Sequence, residues 1–169
     1  MLPTVRRTWG LRGQTPILRH RLRGWGKVSC IGALTLSPRR RRAGLYLGFH
    51  PQANIAQPQM IAFLKDLARH LRGEVILIWD RWQVHRGRRV RAYLERQRRL
   101  QVEWLPPYAP DLNPMDKGWS WMKGHALANY APEHLGQLRA AVRRTGRKLQ
   151  DQPRLLRSFI RAAKLPIRL

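Results

Sequence analysis

The chain has 169 residues, enough for one domain with a buried core, and sets 34 Lys and Arg against 9 Asp and Glu, a formal net charge of +25. With 43% hydrophobic residues it is no disordered tail, and its single cysteine, Cys30, excludes an internal disulfide framework and fits a reducing compartment. No apolar run approaches the roughly 18 residues of a membrane-spanning helix, whereas so cationic a surface suits a polyanion, nucleic acid being the default partner.

Arginine outnumbers lysine, and guanidinium forks suit bidentate phosphate contacts; an arginine-rich coding composition would raise the same count. Residues 1–26 form a basic lead-in broken at Gly10, Gly13, Pro16, Gly24 and Gly26. Its acid-free, Arg-rich start has the composition of a transit peptide, but Trp9 and the turn Gly13-Gln14-Thr15-Pro16 point to folded domain. Residues 27–36 predict a strand, with Cys30 as a small buried hydrophobe. Arg39, Arg40, Arg41 and Arg42 follow as a basic hairpin tip, either solvated or set against DNA, and residues 45–50 predict the returning strand.

Ile61, Leu64, Leu67, Ala68 and Leu71 recur at the helical period over 57–72, and Gly73 stops that helix. Val75–Trp79 is five apolar residues in succession, which predicts a fully buried strand ending at Asp80. Residues 87–99 predict a second amphipathic helix with Val90, Tyr93 and Leu94 inward, and 100–105 a short strand. Pro106, Pro107 and Pro110 stiffen the loop beyond, Pro107 and Tyr108 shaping it and Asp111 fixing a turn. A helix over 114–125 starts with Asn113 as N-cap, Pro114 at the first helical position and Asp116 in the first turn. Two more helices, over 132–149 and 153–164, carry Arg-rich outer faces. The organisation is one domain: an α/β core over 27–125, then C-terminal helices over 132–165, with no internal repeat.

Two acids stand at the ends of ordered elements, Asp80 after a strand and Asp116 at a helix start. An acid closing an apolar strand is rarely there for packing; it is a ligand or a strand-end turn residue, and open α/β sheets bind ligands outside the carboxyl ends of their strands. Paired carboxylates on rigid supports suit Mg²⁺, which prefers hard oxygen ligands. Asp116 has a plainer alternative: in the first turn it can bond back to the cap and oppose the helix dipole. Trp119 and Lys123, three and seven residues further on, fall on nearly the same helix face, Trp119 toward the core and Lys123 toward a phosphate.

The block LPPYAPDLNPMD (Leu105–Asp116), followed by WSWMK, resembles the C-terminal catalytic motif of DDE-type transposases, closest to the bacterial insertion-sequence branch of the mariner superfamily. The usual reading there is LPPYSPDLNPIE, from which Ala109 and Asp116 depart; Asp for Glu withdraws the carboxylate by one methylene, which would shift preference toward Mn²⁺. WDRWQVH (Trp79–His85) is similar to the family's second-acid motif, with Arg81 where Asn is common and His85 matching. Thirty-five residues separate Asp80 from Asp116, close to the family spacing, and Arg7–Pro16 resembles the segment just after the family's first acid.

The resemblance implies a ribonuclease-H-like α/β fold that cleaves DNA and transfers strands at transposon ends. Asp80 and Asp116 would be the catalytic metal ligands of a two-ion Mg²⁺ or Mn²⁺ site, the ions about 4 Å apart. DNA would be the partner, a homodimer in a synaptic complex the assembly, and the bacterial cytoplasm, at the nucleoid, the setting. His85 would orient a DNA phosphate or cap the following helix, and Arg81 is a cation that competes with the ion for Asp80. The family's first, central strand carries the first acid upstream of the segment matching Arg7–Pro16, whereas the first acid here is Asp66, inside a helix. The expectation is a catalytic domain lacking that strand, either completed by an upstream or frameshifted reading frame or decayed. The alternative is a non-catalytic basic DNA-binding protein or repressor of transposition; a ribosomal-type RNA-binding protein fits the acid-bearing motifs less well.

Overall fold

A computed structural model describes residues 4–18, 26–37 and 42–165. The chain runs β1 (Val28–Ser37), β2 (Arg42–Pro51), α1 (Gln57–His70), β3 (Val75–Trp79), α2 (Arg88–Glu95), β4 (Leu100–Trp104), a 3₁₀ turn (Pro110–Leu112), α3 (Pro114–Trp121), a π turn (Met122–Ala126), α4 (Leu135–Gln150) and α5 (Pro153–Ala162). The sequence boundaries hold to within a few residues, with two corrections. The helix expected over 87–99 stops at Glu95, and Arg99 then clamps the loop before β3 through Nε to the Gly73 carbonyl at 2.9 Å. The chain must turn there to enter β4 alongside β3. The helix expected over 114–125 changes to π geometry at Met122, where Gly124 leaves room for the Arg6 guanidinium.

β1 and β2 pair antiparallel from Val28↔Pro51 to Ser37↔Arg42. Because side chains alternate across a strand, one face of this hairpin presents Val28, Cys30 and Leu34 with Leu45, Leu47 and Phe49. That face packs with Met115, Met122, Val142, Leu149, Leu156 and Phe159 of the C-terminal helices. The opposite face presents Ile31, which joins Met60 and Leu64 of α1, Trp79 of β3 and Val90 of α2. The hairpin is therefore the middle layer of a helix–sheet–helix sandwich. Met60, which the helical pattern omits, is one of the most buried residues of α1.

β3 and β4 pair in parallel, Val75↔Leu100 to Trp79↔Trp104, as the crossover through α2 requires. The strand expected to be buried on both faces is buried on one. Val75, Leu77 and Trp79 face α1 and α2, while Ile76 is 62% exposed. A continuous apolar run does not say how many faces are covered, and α3, α4 and α5 cover the hairpin instead. Among the described residues β1–β2 and β3–β4 are separate two-stranded sheets, so β1 and β3 each keep one strand edge without a ladder partner.

One glycine fixes the seat of the Asp116 helix. A Cβ on Gly32 of β1 would lie 2.8 Å from Met115 Cε, 2.9 Å from Trp119 Cη2 and 3.0 Å from Leu47 Cδ2. Only a residue without a side chain lets α3 rest this closely on the hairpin.

Candidate active site

β3 ends at Trp79 and hands the chain to Asp80. Asp80 Oδ1 accepts the backbone N–H of Trp82 at 2.9 Å and lies 2.9 Å from His85 Nδ1. The same Nδ1 is 3.2 Å from the Asp80 carbonyl. Both neighbours are acceptors, so Nδ1 must carry the proton and donate. The imidazole is further fixed by stacking on Trp79, ring centroids 4.3 Å apart and planes at 13°, and by the edge-on ring of Trp82 at 5.3 Å. His85 is only 14% exposed, against 48% for the carboxylate it holds. Its role as a cap for α2 is corrected, since Gly87 occupies that position. Both partners of the carboxylate fall on Oδ1, which leaves Oδ2 for a ligand.

α3 begins as the local chemistry dictates. The Asn113 side chain accepts the N–H of Met115 at 3.1 Å, and Pro114 fills the first helical position. The Asn113 N–H goes to the Pro110 carbonyl at 3.0 Å, so the Asp116 carboxylate is not spent on a capping box. The Asp116 carboxyl is held above its ordinary pKa, first because it is partly buried and next because it feels the negative charge of Asp80; Lys117 and Lys123 pull it the other way. The two acids, thirty-five residues apart in sequence, therefore share one electrostatic site. Lys123 is exposed on the π turn, and its charge also reaches Cys30, whose thiol burial pushes up to about 11.

The other expected residues divide between this site and places remote from it. Arg81 donates through Nε to the Leu105 carbonyl at 3.2 Å and forms no ion pair with Asp80 among the described residues. Trp119 packs against the hairpin core, and Lys117 rather than the backbone is the partner of Asp111, at 3.5 Å. Arg42 begins β2 opposite Ser37, about 17 Å along the strand from Gly32, where α3 rests. Arg39, Arg40 and Arg41 lie outside the described residues.

A divalent ion suits the pair. Asp80 and Asp116 are hard oxygen donors whose mutual repulsion a cation would relieve, and Mg²⁺ or Mn²⁺ is commonly held by one or two carboxylates, with water and substrate phosphate filling the remaining positions. Among the described residues no group of three potential ligand side chains converges.

Sequence reasoning missed what stands at the C-terminal ends of the parallel pair. A cavity of about 550 Å³ opens there between Arg81, Gln83, Arg86, Arg91 and Trp104. Trp104 leans on Trp79 with ring centroids 5.6 Å apart, and the buried Nε1–H of Trp79 has no acceptor among the described residues. Three separate segments build this cavity, so no linear motif marks it; only the parallel register, which sets Trp104 opposite Trp79, reveals it.

A family profile described as DDE superfamily endonuclease matches residues 2–139. Among solved structures, the Mos1 mariner paired end complex with Mn is similar at a TM-score of 0.56 and 19% identity, covering 99% of this chain and 53% of that one. The Mos1 strand transfer complex is similar at a TM-score of 0.51 and 17% identity, covering 98% and 52%. This chain thus spans about half the length of these two Mos1 chains, and at such identities the likeness concerns the fold, a mixed α/β ribonuclease-H-like one. No curated protein sequence matches. The profile covers most of the chain, and on that ground the protein belongs to the DDE superfamily endonucleases.

Proposed function

We propose that the chain is the C-terminal catalytic part of a bacterial insertion-sequence transposase that cuts and joins DNA at transposon ends with Mg²⁺ or Mn²⁺. The carrying observation is the shared field of Asp80 and Asp116: two carboxylates on separate elements, one raising the other's pKa, with Asp80 Oδ1 tied to Trp82 and His85 and the Asn113 N–H taken by Pro110 rather than by Asp116. The Mos1 relatives, described as a paired end complex with Mn and a strand transfer complex, support the same chemistry and partner. A homodimer on DNA at the bacterial nucleoid completes this reading.

In cleavage, a water oxygen attacks the phosphorus at the transposon end, the bond to the 3′ oxygen breaks and a 3′-hydroxyl is released. In strand transfer that hydroxyl attacks a target phosphodiester and displaces the target's own 3′ oxygen. A divalent ion bound at the pair would supply Lewis-acid stabilisation of the charge developing on the phosphoryl oxygens. The protein's part is positional. Asp80 and Asp116 would hold the ion, His85 keeps the Asp80 carboxylate in one orientation, and Lys123 offers an ammonium group to the phosphate.

Asp80→Ala and Asp116→Ala should each abolish Mn²⁺-dependent nicking of supercoiled DNA while DNA binding survives. Nicking unchanged in both variants, or absent from the parent protein even when joined to its upstream reading frame, overturns the enzyme reading. The second reading, a non-catalytic DNA-binding protein or repressor, is favoured by the absence of a third converging ligand among the described residues; it expects salt-sensitive DNA binding and no Mn²⁺-dependent nicking.

A further inference from the structure

We propose that the cavity between Arg81, Gln83, Arg86, Arg91 and Trp104 is a binding site for one unpaired nucleotide of single-stranded DNA, its base on the Trp104 indole and its phosphates among the three guanidinium groups. This deepens the reading of the chain as a DNA-acting protein and rests on it, but it does not need the chain to cut DNA.

The chemistry of the lining selects the ligand. Arg81, Arg86 and Arg91 offer planar donors without an acidic side chain in the lining, which calls for an anion. Trp104 is 37% exposed, and its ring is backed by Trp79 at 5.6 Å. A supported indole of this kind is a platform for a flat π-system, as in proteins that hold single strands. Gln83 adds an amide that can both donate to and accept from a base edge. An anion joined to a flat, hydrogen-bonding ring is a nucleotide, and the volume of about 550 Å³ is in the range of small-ligand sites. The base must be unpaired, because in a duplex both of its faces are covered by neighbouring bases.

The surroundings agree. The cavity lies where the carboxyl ends of β3 and β4 stand side by side, Leu105 N–H bonding the Trp79 carbonyl at 2.9 Å. This is where open α/β sheets take ligands. Arg81 is pre-oriented by its bond to the Leu105 carbonyl, which lowers the entropy lost on binding. Trp79 also stacks on His85, which holds Asp80. One ring system thus links the nucleotide site to the acid, and a strand anchored here would pass close to it.

The test measures metal-free binding of a fluorescent twelve-residue oligothymidine and of an abasic twelve-mer of equal charge. The unmutated protein should prefer the oligothymidine by roughly 5- to 150-fold, the range for stacking one base. Trp104→Ala should erase that preference with little change on the abasic strand. Arg91→Gln should weaken both and reduce the salt dependence by about 0.7 in logarithmic slope, one single-strand phosphate. In case Trp104→Ala fails to fold, 5-bromouracil in the oligonucleotide should photocrosslink to Trp104 of the unmutated protein, read by peptide mass spectrometry. Equal affinity for the two strands overturns the proposal, as does a preference that survives folded Trp104→Ala, or a crosslink only to other residues. Competition by a polyglutamate peptide as effective as that by oligothymidine would mean an acidic protein segment is the ligand, and also overturns it. Nicking absent from the parent protein even when joined to its upstream reading frame, with base preference intact, would sink the enzyme reading and leave this site standing.

Discussion

The β1–β2 hairpin and the β3–β4 pair are both apolar two-stranded units, yet the fold treats them differently. The hairpin is covered on both faces, by α3, α4 and α5 on one and by α1, β3 and α2 on the other. The parallel pair is covered on one face only, so Ile76 and Ile78 stand open beside Gln101 and Glu103. The hairpin is the structural support, and the parallel pair presents candidate site residues, since Asp80, His85 and the arginine-lined cavity all sit at its carboxyl end. What separates these roles is the count of covering layers, not strand composition.

The largest effect should come from breaking the cover of the hairpin. Leu149 of α4 is fully buried in the cluster that seals β1–β2. Leu149→Ala should lower the unfolding free energy by about 2–5 kcal/mol, from lost transfer energy and the cavity left behind, measured by urea denaturation. A loss below about 1 kcal/mol would mean that α4 is not the lid of this core.

Next in size is the contact joining the two regions through α3. Gly32→Val puts methyl groups where Met115, Trp119 and Leu47 now lie. The methionine end can yield, but the indole cannot swing without disturbing the core, so a cost of about 1–3 kcal/mol is expected. Because α3 carries Asp116, Mn²⁺ affinity should fall as well, by relaxation titration of the folded variant. Unchanged affinity would show that the helix moves as a unit without affecting the acid pair.

A smaller effect, of opposite sign, is expected at the acid itself. The Asp116 carboxyl is held above its ordinary pKa by burial and by Asp80, so the folded state binds that proton more tightly than the unfolded chain does. Its contribution to stability is therefore most favourable in acid. It declines as pH rises from the ordinary aspartate range through the raised folded value, and then stays at a constant penalty. Asp116→Asn removes the charge and should raise the melting temperature at neutral pH, an advantage that fades on acidification, while Mn²⁺ binding is lost. A lower melting temperature at neutral pH would show that the first-turn interaction of Asp116 with the helix dipole outweighs the two penalties.

The sequence carried the elements that depend on neighbours along the chain. Asn113, Pro114 and the start of α3 follow from capping chemistry, and the period-3.6 pattern of α1 follows from Leu64 and Leu67. WDRWQVH singled out Asp80 and LPPYAPDLNPMD singled out Asp116, because such motifs condense a three-dimensional relation into a linear one. What depends on distant partners was hidden. Nothing near Val75–Trp79 announces that one face stays uncovered, and nothing near Trp104 announces that it faces Arg91 across a cavity. Arg81 read as a competitor for Asp80 only because its bond to the Leu105 carbonyl is invisible in sequence. The π turn at Met122 likewise broke the straight-helix extrapolation from Asp116 to Lys123.

The smallest effect is the sharpest check on the contrast between the two regions. Ile78 has the composition of a core residue but is 38% exposed, directly before the buried Trp79 and opposite Glu103 in the parallel register. If that face is open in the folded chain, Ile78→Thr exchanges one β-branched side chain for another and should change stability by no more than about 0.5 kcal/mol. The same variant should raise solubility, because an uncovered apolar strand beside an unpaired edge invites association. A loss of about 1 kcal/mol or more would mean that this face is buried in solution, by a second copy or by chain outside the described residues. Repeating the melt over a tenfold dilution series separates those two. Only burial by a second copy makes the cost of the mutation depend on concentration, since mass action stabilises whichever state the partner binds.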